Sequence, residues 1–366
     1  MGIVCPDESK RIEIEEFRRM LLSYAAVHRT KAAADDEFQN PQHLPTAVEQ
    51  NRELEEKKVC VTSGVSFLGI AIVNQLLLRG YSVRVIVENQ EDLEKLREME
   101  ITGEMGPSMN TVEAVMASLN DVQSLSEAFN GCRGVFHTAA FVDPAGLSGY
   151  SKSMAEVEVM VSKNVTRACA ITPSIKNYVL TSSLLACIWK DLNSSTTIDH
   201  DSWSDESICI NNKLWYALGK LKAERVAWNA AKESGFKLAT ICPGLVTGPD
   251  FLSRNPTSTI AYLKGAQEMF RNGLLATVDV NRLAISHVLV FEKMKNTASG
   301  RYISFDRVIR SEEEFEKLAR ETGIEFSTMR TNTIIGASNT NRIGIKLSNA
   351  KLCRLMSATY RCNSEC

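Results

Sequence analysis

The sequence predicts an α/β fold built on a doubly wound parallel sheet. From Lys57 onward short β-branched runs alternate with longer amphipathic ones, the alternation spans six strand candidates, and a two-glycine turn follows the first of them. Strands are expected at Val59–Thr62, Ser82–Val87, Val112–Ala117, Gly134–His137, Tyr178–Thr181 and Leu238–Ile241. Between them, helical spacing of apolar residues marks Leu68–Arg79, Asp121–Phe129, Met154–Ala170 and Leu214–Ser234. After Pro243 the pattern weakens into loops and shorter helices at Thr257–Met269, Val280–Lys293 and Glu312–Thr322, with one more strand near Arg301–Phe305. That region is expected to cap the sheet and shape a substrate pocket.

The two ends read differently. Ile14, Phe17, Leu21 and Tyr24 recur at three- and four-residue steps, which makes Glu13–Val27 one amphipathic helix in need of something to lie against. The polar stretch from Lys31 to Lys58, with Pro41 and Pro45, reads as a linker. From about Thr331 the chain is rich in Asn, Ser and Thr, the composition of an irregular tail. The expected organisation is helix and linker over 1–55, the main domain over 56–330 and the tail over 331–366. Within the main domain, 56–243 carries mainly cofactor binding and 244–330 mainly substrate binding.

Composition narrows the function. With 44% hydrophobic and 23% charged residues, the 366-residue chain has the usage of an ordinary globular protein. Its 42 basic and 44 acidic side chains nearly cancel, so no overall field gathers nucleic acid or an anionic membrane. No apolar run reaches the ~18 residues of a membrane span, and Met1 to Met20 lacks the apolar core of a signal peptide. A cytoplasmic protein is expected. Gly2 and Cys5 suggest acylation, but Pro6 stands where myristoylation asks for Ser or Thr. The ten cysteines include no CxxC pair and mostly sit in apolar runs, which fits free thiols in a reducing compartment and no metal site.

Three constellations carry chemistry. The first is the turn Val61-Thr62-Ser63-Gly64-Val65-Ser66-Phe67-Leu68-Gly69, where a helix N-terminus after the first strand would face a pyrophosphate. Gly64 and Gly69 are what remain of a glycine-rich run, and a purely structural turn is the other reading. The second lies at the end of strand two. There a carboxylate accepts hydrogen bonds from an adenosine ribose, so Glu88 leans toward NAD, whereas a base such as Arg84 favours a 2′-phosphate; a solvated turn before Glu91 is the alternative.

The third joins Ser182 and Ser183 at the end of strand five to Tyr216-Ala217-Leu218-Gly219-Lys220 on a helix. Four-residue spacing puts the phenol and the ammonium on one helical face, where the cation can depress the phenol from its ordinary value of ~10 and make it a usable proton donor. A serine at the carboxyl edge of the sheet can hydrogen-bond the same substrate oxygen. A lone YxxxK arises by chance; the serine pair upstream makes this one fairly specific.

From Lys57 to Glu321 the chain resembles the extended short-chain dehydrogenase/reductases of plants, within them the cinnamoyl-CoA reductase and dihydroflavonol reductase group. It looks most like the cinnamoyl-CoA reductase-like proteins linked to plant defence, which carry a similar N-terminal extension. The resemblance rests on Val135-Phe136-His137-Thr138-Ala139-Ala140, Leu180-Thr181-Ser182-Ser183, Trp203-Ser204-Asp205, Lys213 to Lys220, Ala223-Glu224, Pro243 to Pro249 and Ser299 to Ile303. It implies a Rossmann-type fold and an NADPH-dependent carbonyl reductase in which Tyr216 protonates the oxygen, Ser183 holds it and Lys220 binds the nicotinamide ribose. By the same resemblance Ser63 to Gly69, Arg84, Glu88, Thr138, Ala139, Ala140 and Pro243-Gly244-Leu245-Val246 would contact the cofactor. Val142, Trp189 and Tyr262 would line the acyl pocket.

The chain departs from that pattern at identifiable places. Ser63 and Ser66 replace glycines of the turn, where a φ > 0 position would cost ~1 kcal/mol or more and weaken cofactor binding. Glu88 stands where the family usually shows Arg, which leaves NAD(H) open beside NADP(H). Leu214, Ala217 and Leu218 replace three members of the Asn-Trp-Tyr-Cys-Tyr-Gly-Lys signature, which loosens the link to hydroxycinnamoyl-CoA. The expected activity is reduction of an aromatic, phenylpropanoid-type thioester, aldehyde or ketone. Two alternatives stand beside it: a catalytically weak dinucleotide-binding scaffold in plant defence that docks a protein partner through Glu13–Val27, and a reductase of another specialised-metabolite ketone.

Overall fold

The computed structural model describes residues 57–106, 112–138, 150–191, 197–322 and 345–357. The Glu13–Val27 helix, the linker to residue 55 and most of the tail lie outside the described residues, as do Ala139, Ala140 and Val142. The first half runs β1 (Lys58–Val61), α1 (Phe67–Leu78), β2 (Ser82–Val87), α2 (Gln90–Ile101), β3 (Val112–Met116), α3 (Val122–Phe129), β4 (Gly134–His137), α4 (Lys152–Ile171) and β5 (Asn177–Thr181). It continues through α5 (Leu185–Ile188), β6 (Thr197–Ile198), α6 (Glu206–Asn211), α7 (Trp215–Lys232), β7 (Lys237–Pro243) and β8 (Leu245–Thr247). The remainder is α8 (Phe251–Arg254), α9 (Pro256–Leu263), α10 (Ala266–Arg271), β9 (Ala276–Asp279), α11 (Val280–Lys293), β10 (Gly300–Ser304), β11 (Arg307–Val308), α12 (Glu312–Thr322), β12 (Lys346–Leu347) and α13 (Ala350–Ser357).

Seven strands form one sheet in the order β10-β7-β5-β4-β1-β2-β3, and every pair in it is parallel. Successive side chains of a strand alternate between faces, and a parallel sheet covered by helices buries both. Val59 and Val61 accordingly pack with α1 and α11, while Cys60 joins the opposite cluster with α3 and α4. That is why the strands read as unbroken apolar runs. Side-chain caps set the helix starts: Ser66, Asn89, Asp121 and Ser151 each accept from a first-turn amide of α1 to α4. The order reverses at β1, between β2 and β4, and the crevice beyond the carboxyl ends of those strands is where such sheets bind ligands.

Two expectations about the second half need correcting. Thr257–Met269 is two helices, α9 and α10, separated at Lys264 and Gly265. Gly265 has φ +92, and a Cβ there would stand 2.8 Å from the Trp189 ring, so the break is built into the packing. The tail is not irregular throughout. β12 pairs in parallel with β6, and α13 places Leu352 in the core with Leu355 and Met356 packed against it. Those three residues form a helical stripe that the surrounding Asn, Ser and Thr concealed. The short β8, β9 and β11 form a second sheet in the order β11-β9-β8. No helix among the described residues is long and apolar enough to cross a membrane, and the described cysteines are all free, six of them buried.

Candidate active site

A cleft of about 450 Å3 opens at the carboxyl edge of the sheet. Thr62 follows β1, Glu88 follows β2, Thr138 follows β4, Ser182 and Ser183 follow β5, and Pro243 ends β7; all of them line it. Ser63, Ser66, Phe67 and Leu68 line it from the turn, Gly244, Leu245 and Val246 from the far wall, and Tyr216, Lys220 and Tyr262 from the helices. Apart from Gly64 and Gly69, which do not line it, nearly every described residue expected at the site meets there. Arg84 does not. It is the third residue of β2, at the opposite end of the strand from the cleft, where it pairs with Glu113 and donates to the carbonyls of Ala128 and Asn130 at the end of α3. A cation suits a helix C-terminus, so Arg84 is structural.

The turn needs no positive φ at its serines, because the only non-glycine residues with that geometry among the described ones are Lys213 and Asp250. The expected strain at Ser63 and Ser66 is therefore absent. Ser66 instead caps α1: its Oγ donates to the Ser63 carbonyl at 2.7 Å and accepts from the Gly69 amide at 3.1 Å. Gly69 is required for another reason, since a Cβ there would fall 1.8 Å from the Ser63 carbonyl oxygen. Ile70 donates to the Ser66 carbonyl. The amides of Phe67 and Leu68 are then the donors that the first turn leaves for an anion.

The Ser183 Oγ accepts from the Leu185 amide at 3.2 Å, which leaves its own proton for the cleft. Ser182 is engaged elsewhere: it donates at 2.6 Å to the fully buried Glu224, which also receives Thr240 and the Arg301 guanidinium. Trp203 stacks on that guanidinium with 3.6 Å from Arg301 Cζ to the ring centroid. The segments around Trp203, Glu224 and Arg301 thus brace the end of β5.

Lys220 and Tyr216 share a face of α7, as their spacing predicts, but Lys220 has a partner from another element. Its Nζ lies 2.5 Å from Glu158 Oε1 on α4, and Tyr150 donates to Glu158 Oε2 at 2.7 Å. Burial alone would lower the ammonium; Glu158 and the Tyr216 phenol together more than offset it, and the Lys220 pKa is raised. The Tyr216 phenol is likewise raised, by burial first, with Lys220 pulling it down and Glu158 pushing it up. Lys220 pulls the phenol down as the spacing implies, but burial outweighs it and the expected net depression does not follow. His137 donates or accepts with Thr62 at 2.9 Å and, buried and near Lys220, is lowered to about 3, so it is neutral.

Beside the cleft lies a second cavity of about 320 Å3, lined by Tyr150, Leu185, Trp189, Leu214, Trp215, Tyr216, Ala217, Ile260, Ala261, Leu263 and Lys264. Trp189 lines this second cavity, whereas Tyr262 lines the first cleft. Tyr216 lines both.

Residues 60–306 match the 3-beta hydroxysteroid dehydrogenase/isomerase family. The chain belongs to this family. Among the family's relatives, cinnamoyl-CoA reductase 1 of Petunia hybrida is 37% identical over 278 residues, covering 74% of this chain and 78% of that protein. Tetraketide alpha-pyrone reductase 1 of Arabidopsis thaliana is 34% identical over 262 residues, covering 70% of this chain and 78% of that one. In fold the chain is similar to the crystal structure of vestitone reductase from alfalfa, with a TM-score of 0.56 at 22% identity over 81% of this chain and 91% of the other. A yeast methylglyoxal/isovaleraldehyde reductase complexed with NADPH superposes with a TM-score of 0.60 at 20% identity, over 82% and 93%.

Sequence reasoning missed Glu158, Tyr150, Lys95, Arg254, Ser258 and Thr259. Glu158 had a signal. It falls on the buried stripe of α4 with Ala155, Val161 and Ser162, where a charge needs a buried partner. Arg254, Ser258 and Thr259 lie in the weakly patterned region after Pro243 and reach the cleft only through the tertiary fold.

Proposed function

We propose that the protein is an NAD(P)H-dependent reductase of the carbonyl of an aromatic, phenylpropanoid-type thioester, aldehyde or ketone. The observation that carries this is the position of Tyr216 at the junction of a dinucleotide-sized cleft and an aromatic-lined cavity. The cleft fits a nicotinamide dinucleotide. The hydroxyls of Thr138 and Thr259 line it, buried and without a partner, a costly arrangement unless a polar ligand completes it. The Phe67 and Leu68 amides would take the pyrophosphate, Glu88 and Lys95 the adenosine ribose end, and Pro243 to Val246 the nicotinamide side. Glu88 already accepts from the Leu119 amide at 3.0 Å, which fixes its carboxylate at the rim. Lys95, one turn along α2, supplies the cation that a 2′-phosphate needs, so NADP(H) is accommodated despite Glu88.

The bound dinucleotide supplies the hydride. The chain supplies the rest. Ser183 presents its free hydroxyl proton to the carbonyl oxygen, and Tyr216, protonated at neutral pH because burial raises it, delivers a proton to that oxygen as negative charge develops. Lys220 orients the cofactor ribose and stabilises the phenolate left behind; its pairing with Glu158 keeps it charged. Trp189, Trp215 and Leu185 exclude water from the acceptor. The cytosol is the compartment that the free thiols fit, and fractionation checks it.

The test is consumption of reduced nicotinamide by the full chain with aromatic thioesters, aldehydes and ketones in turn. Turnover of at least one is expected. Failure with every class, with cofactor bound, would leave the scaffold reading.

A further inference from the structure

Among the described residues three cations line the dinucleotide cleft, and a carboxylate holds each: Lys220 with Glu158, Lys95 with Glu91, and Arg254 with Glu104. The first two belong to the catalytic and ribose ends. Arg254 is different. It closes α8, after β8, whereas Glu104 follows α2, so their ion pair joins segments 150 residues apart in sequence. The same guanidinium lies 6.0 Å from the centroid of the Phe67 ring, the first residue of α1.

That position is beside the helix N-terminus whose Phe67 and Leu68 amides open to the cleft. With its glycines replaced, the turn spends Ser66 on its own cap, so two amides face what would be a doubly charged pyrophosphate. Thr138 and Thr259 add unpartnered hydroxyls to the same cleft. A guanidinium pairs with phosphate in a planar, bidentate fork. Its present partner is replaceable: both side chains of the Arg254–Glu104 pair are 35% exposed, and a pair that open to water gains little.

We propose that Arg254 is a pyrophosphate-binding residue of the dinucleotide site, held by Glu104 while the cleft is empty and released to the phosphates when a dinucleotide enters. The proposal rests on the reading of the cleft as a dinucleotide site. Glu104 acts as a competitor for the guanidinium and sets how tightly the site binds. Because NADPH and NADH share the pyrophosphate, the contact raises affinity for both and leaves the choice between them to Glu88 and Lys95.

The experiment is a fluorescence titration of the full-length wild-type protein, Arg254→Met and Glu104→Gln with NADPH and with NADH. Arg254→Met is expected to weaken both by the same factor, about tenfold or more, the loss of one charge-assisted contact. Glu104→Gln is expected to tighten both several-fold, and this second variant protects the test from a folding defect in the first. Unchanged affinity in Arg254→Met overturns the proposal, and so does a loss confined to NADPH, which would put the guanidinium on the 2′-phosphate. Weaker binding in Glu104→Gln overturns the competition. A wild-type protein that binds neither dinucleotide brings down the reductase reading and the proposal with it, whereas a binding wild type beside an indifferent Arg254→Met brings down the proposal alone.

Discussion

The ammonium of Lys220 and the carboxylate of Glu158 meet at 2.5 Å with 5% and 7% of their side chains exposed. In the proposed reaction the lysine eases the tyrosine's proton away, and here a second charge opposes that pull. The Tyr150 ring also packs edge-on against Tyr216, with centroids 5.1 Å apart, and gives its hydroxyl to the same Glu158. The Tyr216 phenol thus faces Lys220 along its own helix, Glu158 from α4, Tyr150 from the segment before it, and Tyr262 and Ser258 from α9; His137 stands near Lys220 and is neutral.

Glu158→Gln should therefore lower the Tyr216 pKa. Glu158 raises the phenol and Lys220 lowers it, so losing the carboxylate removes the upward push, while the phenol itself still helps hold the charge on the buried Lys220. The alkaline limb of the reductase pH profile is expected to move down, and oxidation of the alcohol to become faster near neutrality. Tyrosinate absorbance, taken as the difference from Tyr216→Phe, reads the same pKa without turnover. An unmoved limb would mean that Glu158 does not act on the phenol beyond holding the charge on Lys220.

Gly69→Ala is expected to cripple dinucleotide binding more than folding. The new Cβ would fall 1.8 Å from the Ser63 carbonyl oxygen, so the turn must move off α1 and carry its donors with it. A stability loss of about 1–3 kcal/mol is expected for such overpacking, with NADPH affinity reduced at least tenfold in a titration. Retained affinity would show that the turn adapts.

Much of this was legible beforehand, and the rest was not for physical reasons. The strands announce themselves because both faces of a parallel sheet are apolar, and Tyr216 and Lys220 announce themselves because helical spacing is local. Glu158 reaches Lys220 from another helix 62 residues away in sequence, and Arg254 reaches Phe67 from a four-residue helix that no periodicity marks. Arg84 was misplaced because a residue's height along its strand, not its spacing from Glu88, decides whether it reaches the crevice.

Arg301→Met should destabilise the fold by about 3–5 kcal/mol, because it leaves Glu224 buried without its counter-charge. Urea unfolding of the variant checks this. Since Glu224 also holds Ser182 at 2.6 Å, activity is expected to fall with stability. A near-neutral effect would mean that Thr240 and Ser182 alone satisfy the carboxylate.

Two buried histidines set the acid limit. His287 donates from Nδ1 to the Leu283 carbonyl at 2.8 Å, which fixes Nε2 as the acceptor from Thr181 at 2.9 Å. Burial lowers His287 to about 4, and burial with Lys220 nearby lowers His137 to about 3. Below their ordinary 6.5 the unfolded chain takes up protons that the folded one refuses, so stability falls as pH drops toward those values. At pH 5 the loss is about 2 kcal/mol per histidine. Comparing urea midpoints at pH 7 and pH 5, His287→Gln should show a clearly smaller drop than the wild type; equal drops would contradict a neutral buried His287.

The central claim is that Tyr216 gives the proton at the junction of the two cavities. The measurement that tests it most directly is single-turnover oxidation of bound NADPH by an aromatic carbonyl acceptor, comparing the wild type with Tyr216→Phe. Tyr216→Phe is expected to bind NADPH as tightly as the wild type and to react about 10²- to 10⁴-fold more slowly, the usual contribution of a positioned acid. Equal rates in the two proteins would contradict the account.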